Sequence, residues 1–143
     1  MAPPSRRFKP IQKLASHKER KAAAALGESL KQREAAQQRL DELREYHGEY
    51  LQRFASATRA GVSSRQIMEY QVFINKLEAA IAQQQEIVSR SQQDCDSSKA
   101  QWRGRYSKSK AMEHVIERMH QAERKDQERK EQSESDEHAQ RKR

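Results

Sequence analysis

The sequence predicts an all-α fold: a long antiparallel two-helix coiled-coil hairpin followed by a charged, partly disordered C-terminal tail. Three observations predict it. Only 34% of the residues are hydrophobic and 35% are charged, whereas a compact domain is nearer half apolar. What remains open is disorder, or elongated helices that bury one narrow stripe. Apolar residues then recur at alternating steps of three and four, the mark of a coiled-coil seam. Finally, the three prolines are Pro3, Pro4 and Pro10, so a single central interruption, TRAGVSSRQIMEY at residues 58–70, divides two uninterrupted stretches.

The first helix is expected over about residues 8–58. Its stripe includes Phe8, Ile11, Ala15, Ala22, Ala25, Ala36, Leu40, Leu43, Tyr50, Phe54 and Ala57. Leu14, Leu26, Leu30, Tyr46 and Leu51 lie beside it. The turn is expected at about residues 59–63. Gly61 can take the left-handed conformation that ends a helix. Ser63 and Gln66 have the S-x-x-Q spacing of a capping box that starts the next one. A stop followed so closely by a start is a reversal. The other reading, a kink in one continuous helix, does not account for where the stripes end. Folding at Gly61 sets Phe8 and Ile11 opposite Met112 and Ile116, so both stripes run out together.

The second helix is expected over about residues 64–120. Its seam reads Ile67, Tyr70, Ile74, Leu77, Ile81, Val88, Cys95, Trp102, Met112, Ile116 and Met119, with Gln84, Ser91, Ser98 and Ser109 between. Residues 1–120 thus form the hairpin and 121–143 a tail. That tail has seven basic and seven acidic residues and no seam, so a frayed helix or disorder is expected.

Charge is segregated along the chain. Residues 1–33 hold nine Lys/Arg against two Glu, and residues 99–122 hold six against two. In between, residues 34–98 hold seven basic against ten acidic residues. A hairpin brings the two basic segments together into one positive end, suited to an acidic partner. The alternative is an ordinary solvated helix surface.

Several chemistries are not expected. The lone Cys95 allows neither an internal disulfide nor a metal-type cysteine cluster, and suits a buried inert thiol on the seam. No two of the five histidines are four apart, and no HExxH occurs, so no metal site is expected. The four glycines are isolated, which excludes a glycine-rich phosphate loop. A two-helix seam also has no pocket to desolvate a carboxylate pair. No catalytic residue, cofactor or small-molecule substrate is therefore expected. Met1 to Lys13 lacks the apolar run of a signal peptide, and no window reaches the ~20 apolar residues of a membrane span, so a cytoplasmic chain is expected.

One local group stands out. Leu43, Tyr46 and Tyr50 face the neighbourhood of Phe73, Leu77 and Ala80. Ile74, Leu77 and Ile81 already occupy the seam, which leaves Val72, Phe73 and Ala80 pointing outward as a partner contact. Alternatively, Phe73 folds over the seam edge as a packing flank.

Across EYLQRFASATRAGVSSRQIMEYQVFINKLEAAI the chain resembles the flagellar FliJ family, coiled-coil components of the flagellar type III export apparatus. Tyr70, Gln71, Phe73, Ile74, Leu77, Glu78, Ala80 and Ile81 carry the resemblance, with the AGVSS turn and an N-terminal Phe8, Ile11 and Leu14. It covers about the first 120 residues. It implies a helical hairpin similar to the two-helix stalk in the rotor subunit of rotary ATP synthases. It also implies that the end carrying both termini enters the ring of the flagellar export ATPase and promotes its hexamer. Here that end is Arg6, Arg7, Phe8, Lys9, Ile11, Lys13, Leu14, Lys108, Lys110 and Met112. The family's surface for the transmembrane export-gate protein falls on Leu43, Tyr46, Tyr50, Phe73, Leu77 and Ala80. Arg39 and Gln84 stand at its edge where Gln and His are expected. Export chaperones are further partners of the family. The resemblance implies a non-enzymatic monomer, cytoplasmic and peripherally associated with the inner membrane at the flagellar base. Two alternatives remain: the stalk protein of a virulence type III secretion system, and a basic coiled coil that binds nucleic acid. The second is disfavoured because few aromatics interleave with the basic clusters, so nucleic acid is not an expected partner.

Overall fold

The computed structural model describes residues 3–142. It contains two helices, α1 (Pro4–Ala60) and α2 (Ser64–Arg141), packed against each other as an antiparallel hairpin. Their pairing falls into two units: Ala25–Lys99, and Met1–Ala24 with Ala100–Arg143.

The turn lies in the first of these. Gly61 has φ of +81° and is the residue with positive φ among those described. Its N–H donates to the Thr58 carbonyl at 3.4 Å, and the Thr58 hydroxyl donates to the Phe54 carbonyl at 2.8 Å. The first bond satisfies a carbonyl that α1 leaves open at its end; the second is a side-chain bond back to a carbonyl inside the helix. Ser63 starts α2 as an N-cap: its Oγ accepts the Gln66 N–H at 3.3 Å, and its carbonyl accepts the Ile67 N–H at 3.1 Å. The break is a reversal, with Gly61 in the left-handed conformation and Ser63 as N-cap, while Gln66 takes part through its backbone N–H and not its side chain.

Within Ala25–Lys99 the seam is thin. Leu40, Ile74, Leu77, Ala36 and Cys95 are buried, and Cys95 is a free thiol. Leu43, His47, Tyr50 and Phe54 of α1 and Ile67, Tyr70, Ile81 and Val88 of α2 are half-buried. Polar layers interrupt this apolar contact, and several are bonded across the helices. The Ser29 and Ser98 hydroxyls lie 2.9 Å apart. Gln84 Nε2 donates to the Ala36 carbonyl at 2.9 Å. Arg33 reaches Gln92 at 3.4 Å, and His47 Nε2 lies 3.3 Å from Glu78 Oε1. No buried side-chain N or O among the described residues lacks a partner. Such layers fix the register, because sliding one helix along the other would strand them without partners.

In Met1–Ala24 with Ala100–Arg143 the same heptad continues, with Ser5, Gln12 and Glu19 at the first seam position (a) and Phe8, Ala15 and Ala22 at the second (d). This corrects the sequence reading. Ile11 is 49% exposed and Leu14 53% exposed, and Ala25 is exposed too. They belong to the outer rows of α1, while Gln12, Glu19 and Leu26 face α2. Two adjacent rows of α1 are about equally apolar, so hydrophobicity alone does not choose between them. Two polar seam residues here have partners across the helices. Trp102 Nε1 donates to the Glu19 carboxylate at 2.9 Å. Ser5 is 3% exposed, and its N–H and hydroxyl both donate to Glu123, at 3.1 and 2.9 Å.

That last contact explains where α1 begins. The sequence places the start near residue 8, but the helix starts at Pro4. Proline suits the first helical turn, where its missing N–H costs nothing. The Glu123 carboxylate then satisfies an open N–H and sets a negative charge against the positive end of the helix dipole. Pro10 is accommodated inside α1, although it cannot donate to the Arg6 carbonyl.

A second difference concerns residues 121–141, where frayed helix or disorder is expected but α2 continues as helix to Arg141. The reason is local. The stretch has no Gly or Pro and is rich in good helix formers. Pairs four apart also support it, Gln127 with Glu131 at 3.4 Å and Gln132 with Asp136 at 3.1 Å.

Two outcomes follow for stability. Gly61→Ala should cost about 1–2 kcal/mol, because an L-residue is strained at positive φ. No atom crowds the new Cβ, so a thermal melt that leaves Tm unchanged would refute the left-handed cap. Glu123→Ala should cost roughly 0.5–2 kcal/mol, the range for loss of a cap, and should speed amide exchange at residues 5–8 but not at the turn.

Candidate protein-interaction surfaces

In Ala25–Lys99, α1 presents Tyr46, Tyr50 and Phe54 at steps of four, and α2 answers with Tyr70 and Phe73. The rings form one cluster. Tyr50 and Phe73 have centroids 4.3 Å apart, Tyr46 and Tyr50 5.2 Å, Phe54 and Tyr70 5.9 Å, and Tyr46 and Phe73 6.3 Å. The Arg53 guanidinium sits 5.2 Å from the Tyr50 ring centre, a cation held over a π face. The six residues assigned to this surface therefore play unequal parts. Leu77 is 7% exposed and belongs to the seam, as does half-buried Leu43. Phe73 and Ala80 are half-buried rather than outward. The packing-flank reading of Phe73 is the one realised, because the Tyr50 ring offers it more contact than solvent does. Tyr46 is the aromatic left 46% exposed.

Val72 does point outward, at 53% exposure, and Met68 beside it is 64% exposed. Together with Arg65, Glu69, Phe73 and Lys76 they line an open crevice. Met68 and Arg53 are not among the residues expected at this surface. Both were signalled by spacing, Met68 four before Val72 and Arg53 three after Tyr50.

In Met1–Ala24 with Ala100–Arg143 the residues assigned to the basic end divide in the same way. Phe8 and Met112 are half-buried on the seam. Arg6, Arg7, Lys9, Lys13 and Lys108 are exposed, and none forms an ion pair among the described residues. Lys110 differs. Its Nζ donates to Glu113 at 3.1 Å and lies 5.6 Å from the Tyr106 ring centre. The hydrogen bond to Glu113 and that carboxylate's charge raise the Lys110 ammonium above its ordinary pKa. It is charged but already partnered. Ile11 and Leu14 with Ala15, Lys18, Arg105 and Lys108 line a shallow crevice of about 60 Å³.

Among the described residues no group of three His, Cys, Asp or Glu is placed to hold a metal ion. No described helix is long and apolar enough to cross a membrane. The two surfaces differ in character: exposed cations without an ion-pair partner among the described residues in one unit, a cluster of aromatic rings in the other.

The family profile described as the Flagellar FliJ protein matches residues 4–142. The chain belongs to the FliJ family. The Flagellar FliJ protein of Escherichia coli (strain K12) is 31% identical over 131 residues, covering 92% of this chain and 89% of that relative. The match extends past the ~120 residues on which the resemblance was read, through the helical tail. FliJ membership makes the chain a component of the flagellar export apparatus, in a family of non-enzymatic export proteins.

The two kinds of apolar side chain should behave differently on truncation. Phe73→Ala should cost about 1–3 kcal/mol, less than the 3–5 of a fully buried Phe because the ring is only half-buried. Met68→Ala should stay within about 0.5 kcal/mol. Thermal melts that rank them the other way would show that Phe73 does not pack on Tyr50.

Proposed function

We propose that this FliJ-family chain acts as the stalk of the flagellar export apparatus, docking through its basic unit into the export ATPase ring and through the Tyr46 surface onto the export-gate protein. The observation that carries the docking reading is the set of exposed, unpaired cations Arg6, Arg7, Lys9, Lys13 and Lys108. Charges already satisfied within the chain contribute little to a partner, whereas unpaired ones steer and orient an encounter. Ile11 and Leu14 add aliphatic contact beside them. At the gate surface, Tyr46 is the anchor, and Tyr50, Phe73 and Ala80 present edges around it. Leu43 and Leu77 act from beneath, by fixing the helix spacing that sets the rings. The function is mechanical and allosteric: the chain favours those states of ring and gate to which it binds better, and makes or breaks no bond. Peripheral association with the inner membrane at the flagellar base follows from the same contacts. Empty export chaperones are further partners in this reading.

Pull-down and ATPase stimulation test the ring contact. Arg6→Gln, Lys9→Gln and Lys13→Gln combined should weaken ring binding about tenfold at low ionic strength, and less as salt screens the exposed charges. Unchanged binding would refute the assignment. Tyr46→Ala should weaken gate binding at least tenfold, as hot-spot aromatics do, while Tm and ring binding hold. A variant with normal gate binding would remove Tyr46 as the anchor.

A further inference from the structure

Over residues 4–24 and 100–125, the unit formed by Met1–Ala24 with Ala100–Arg143 has a feature that ring docking does not require: its carboxylates are confined to one side. With Ser5, Gln12 and Glu19 at position a, the g and c rows of α1 are Ile11 and Lys18, and Arg7, Leu14 and Lys21. With Trp102, Ser109 and Ile116 at a, the g and c rows of α2 are Lys108 and Val115, and Gly104, Ala111 and Arg118. In an antiparallel pair these rows meet on one flank. The crevice shared by Ile11, Leu14, Lys18 and Lys108 shows that they do. Every one of these residues is exposed. No Asp or Glu stands on them as far as residue 129, where α2 continues the pattern with Lys125 and Arg129, and Asp136 follows one heptad later. The carboxylates of this stretch lie on other rows, where Glu19, Glu113, Glu117 and Glu123 each hold a partner. The flank is thus a cationic field around three aliphatic side chains.

We infer that this flank binds an anionic lipid surface directly, lying along it with Ile11, Leu14 and Val115 at the boundary between headgroups and acyl chains. A face of Lys and Arg around exposed aliphatic residues is the pattern of an interfacial helix, whose affinity combines apolar burial with attraction to anionic lipid. The crevice on this flank holds only about 60 Å³, well below the ~300 Å³ at which small-molecule pockets begin. Nucleic acid fits less well, because these rows offer no aromatic ring for a base to stack on. Ile11, Leu14 and Val115 would also be wasted against phosphate. The flank shares Ile11, Leu14 and Lys108 with the proposed ring contact, so lipid and ring would exclude each other. The inference itself does not depend on that contact.

Flotation of the full chain with vesicles tests it without any ATPase present. Binding is expected to vesicles containing phosphatidylglycerol, not to phosphatidylcholine alone, and should weaken with salt. Arg7→Gln, Lys18→Gln, Lys108→Gln and Arg118→Gln combined should lose about tenfold or more in partition. An equal-charge control, Arg6→Gln, Lys9→Gln, Lys13→Gln and Arg103→Gln, should lose no more than about threefold. Ile11→Ser with Leu14→Ser should lose about tenfold at unchanged charge. All these sites are exposed, so circular dichroism should show each variant folded. The inference is overturned by any of four results: no binding to phosphatidylglycerol vesicles, equal losses in the two charge sets, no effect of the serine pair, or stronger binding to polyglutamate or a DNA oligonucleotide at the same salt.

Discussion

The apolar contact between α1 and α2 is only about one side chain wide, and the rest of the structure depends on how that narrow seam is held in register. A seam of leucines alone would tolerate sliding by a heptad, because one apolar layer looks much like the next. Here it is broken at intervals by Ser29 with Ser98, Gln84 with the Ala36 carbonyl, and Trp102 with Glu19. Each pair contributes modestly to stability, since its partners were hydrated in the unfolded chain. Its larger effect is on the alternatives. A slipped hairpin would bury these groups unpaired, and a buried donor without an acceptor costs more than a formed bond contributes.

The chain ends and the turn use the same economy of side chains. α1 is closed at Ala60 by Gly61 at positive φ. It is opened at Pro4 by a carboxylate that comes from α2. The first device is local and reads directly from sequence. The second joins residues 118 positions apart and exists only because the helices pair. It also explains why so basic a segment, with no acidic residue in the first turn of α1, is a stable helix start.

The rotation of each helix about its own axis decides what is offered to partners. Turning Gln12 and Glu19 toward α2 turns Ile11, Leu14 and Lys18 outward, which gives the chain-terminal unit its aliphatic centre among cations. In Ala25–Lys99, the phase that buries Leu40, Ile74 and Leu77 leaves Tyr46 on the flank and draws Phe73 onto Tyr50. Binding surfaces on a two-helix pair are therefore by-products of seam phase. A one-position change in phase would exchange polar for apolar on both flanks.

The sequence by itself determined the fold class, the reversal at Gly61, the Ser63 cap, the phase of α2 and the segregation of charge. Those follow from composition, from glycine's freedom at positive φ, and from a hydrophobic repeat on α2 strong enough to have one solution. It also carried the FliJ resemblance, through the residues between Tyr70 and Ile81. The phase of α1 was left to the tertiary structure, because two neighbouring rows there are about equally apolar and only the facing helix breaks the tie. The start of α1 at Pro4 was decided the same way, by Glu123. The helicity of residues 121–141 was within reach of the sequence, since it rests on propensity and on pairs four apart, not on a seam. The split of the Leu43–Ala80 set into one exposed anchor and several supports was not, because residues one position apart look alike until a second helix covers one of them.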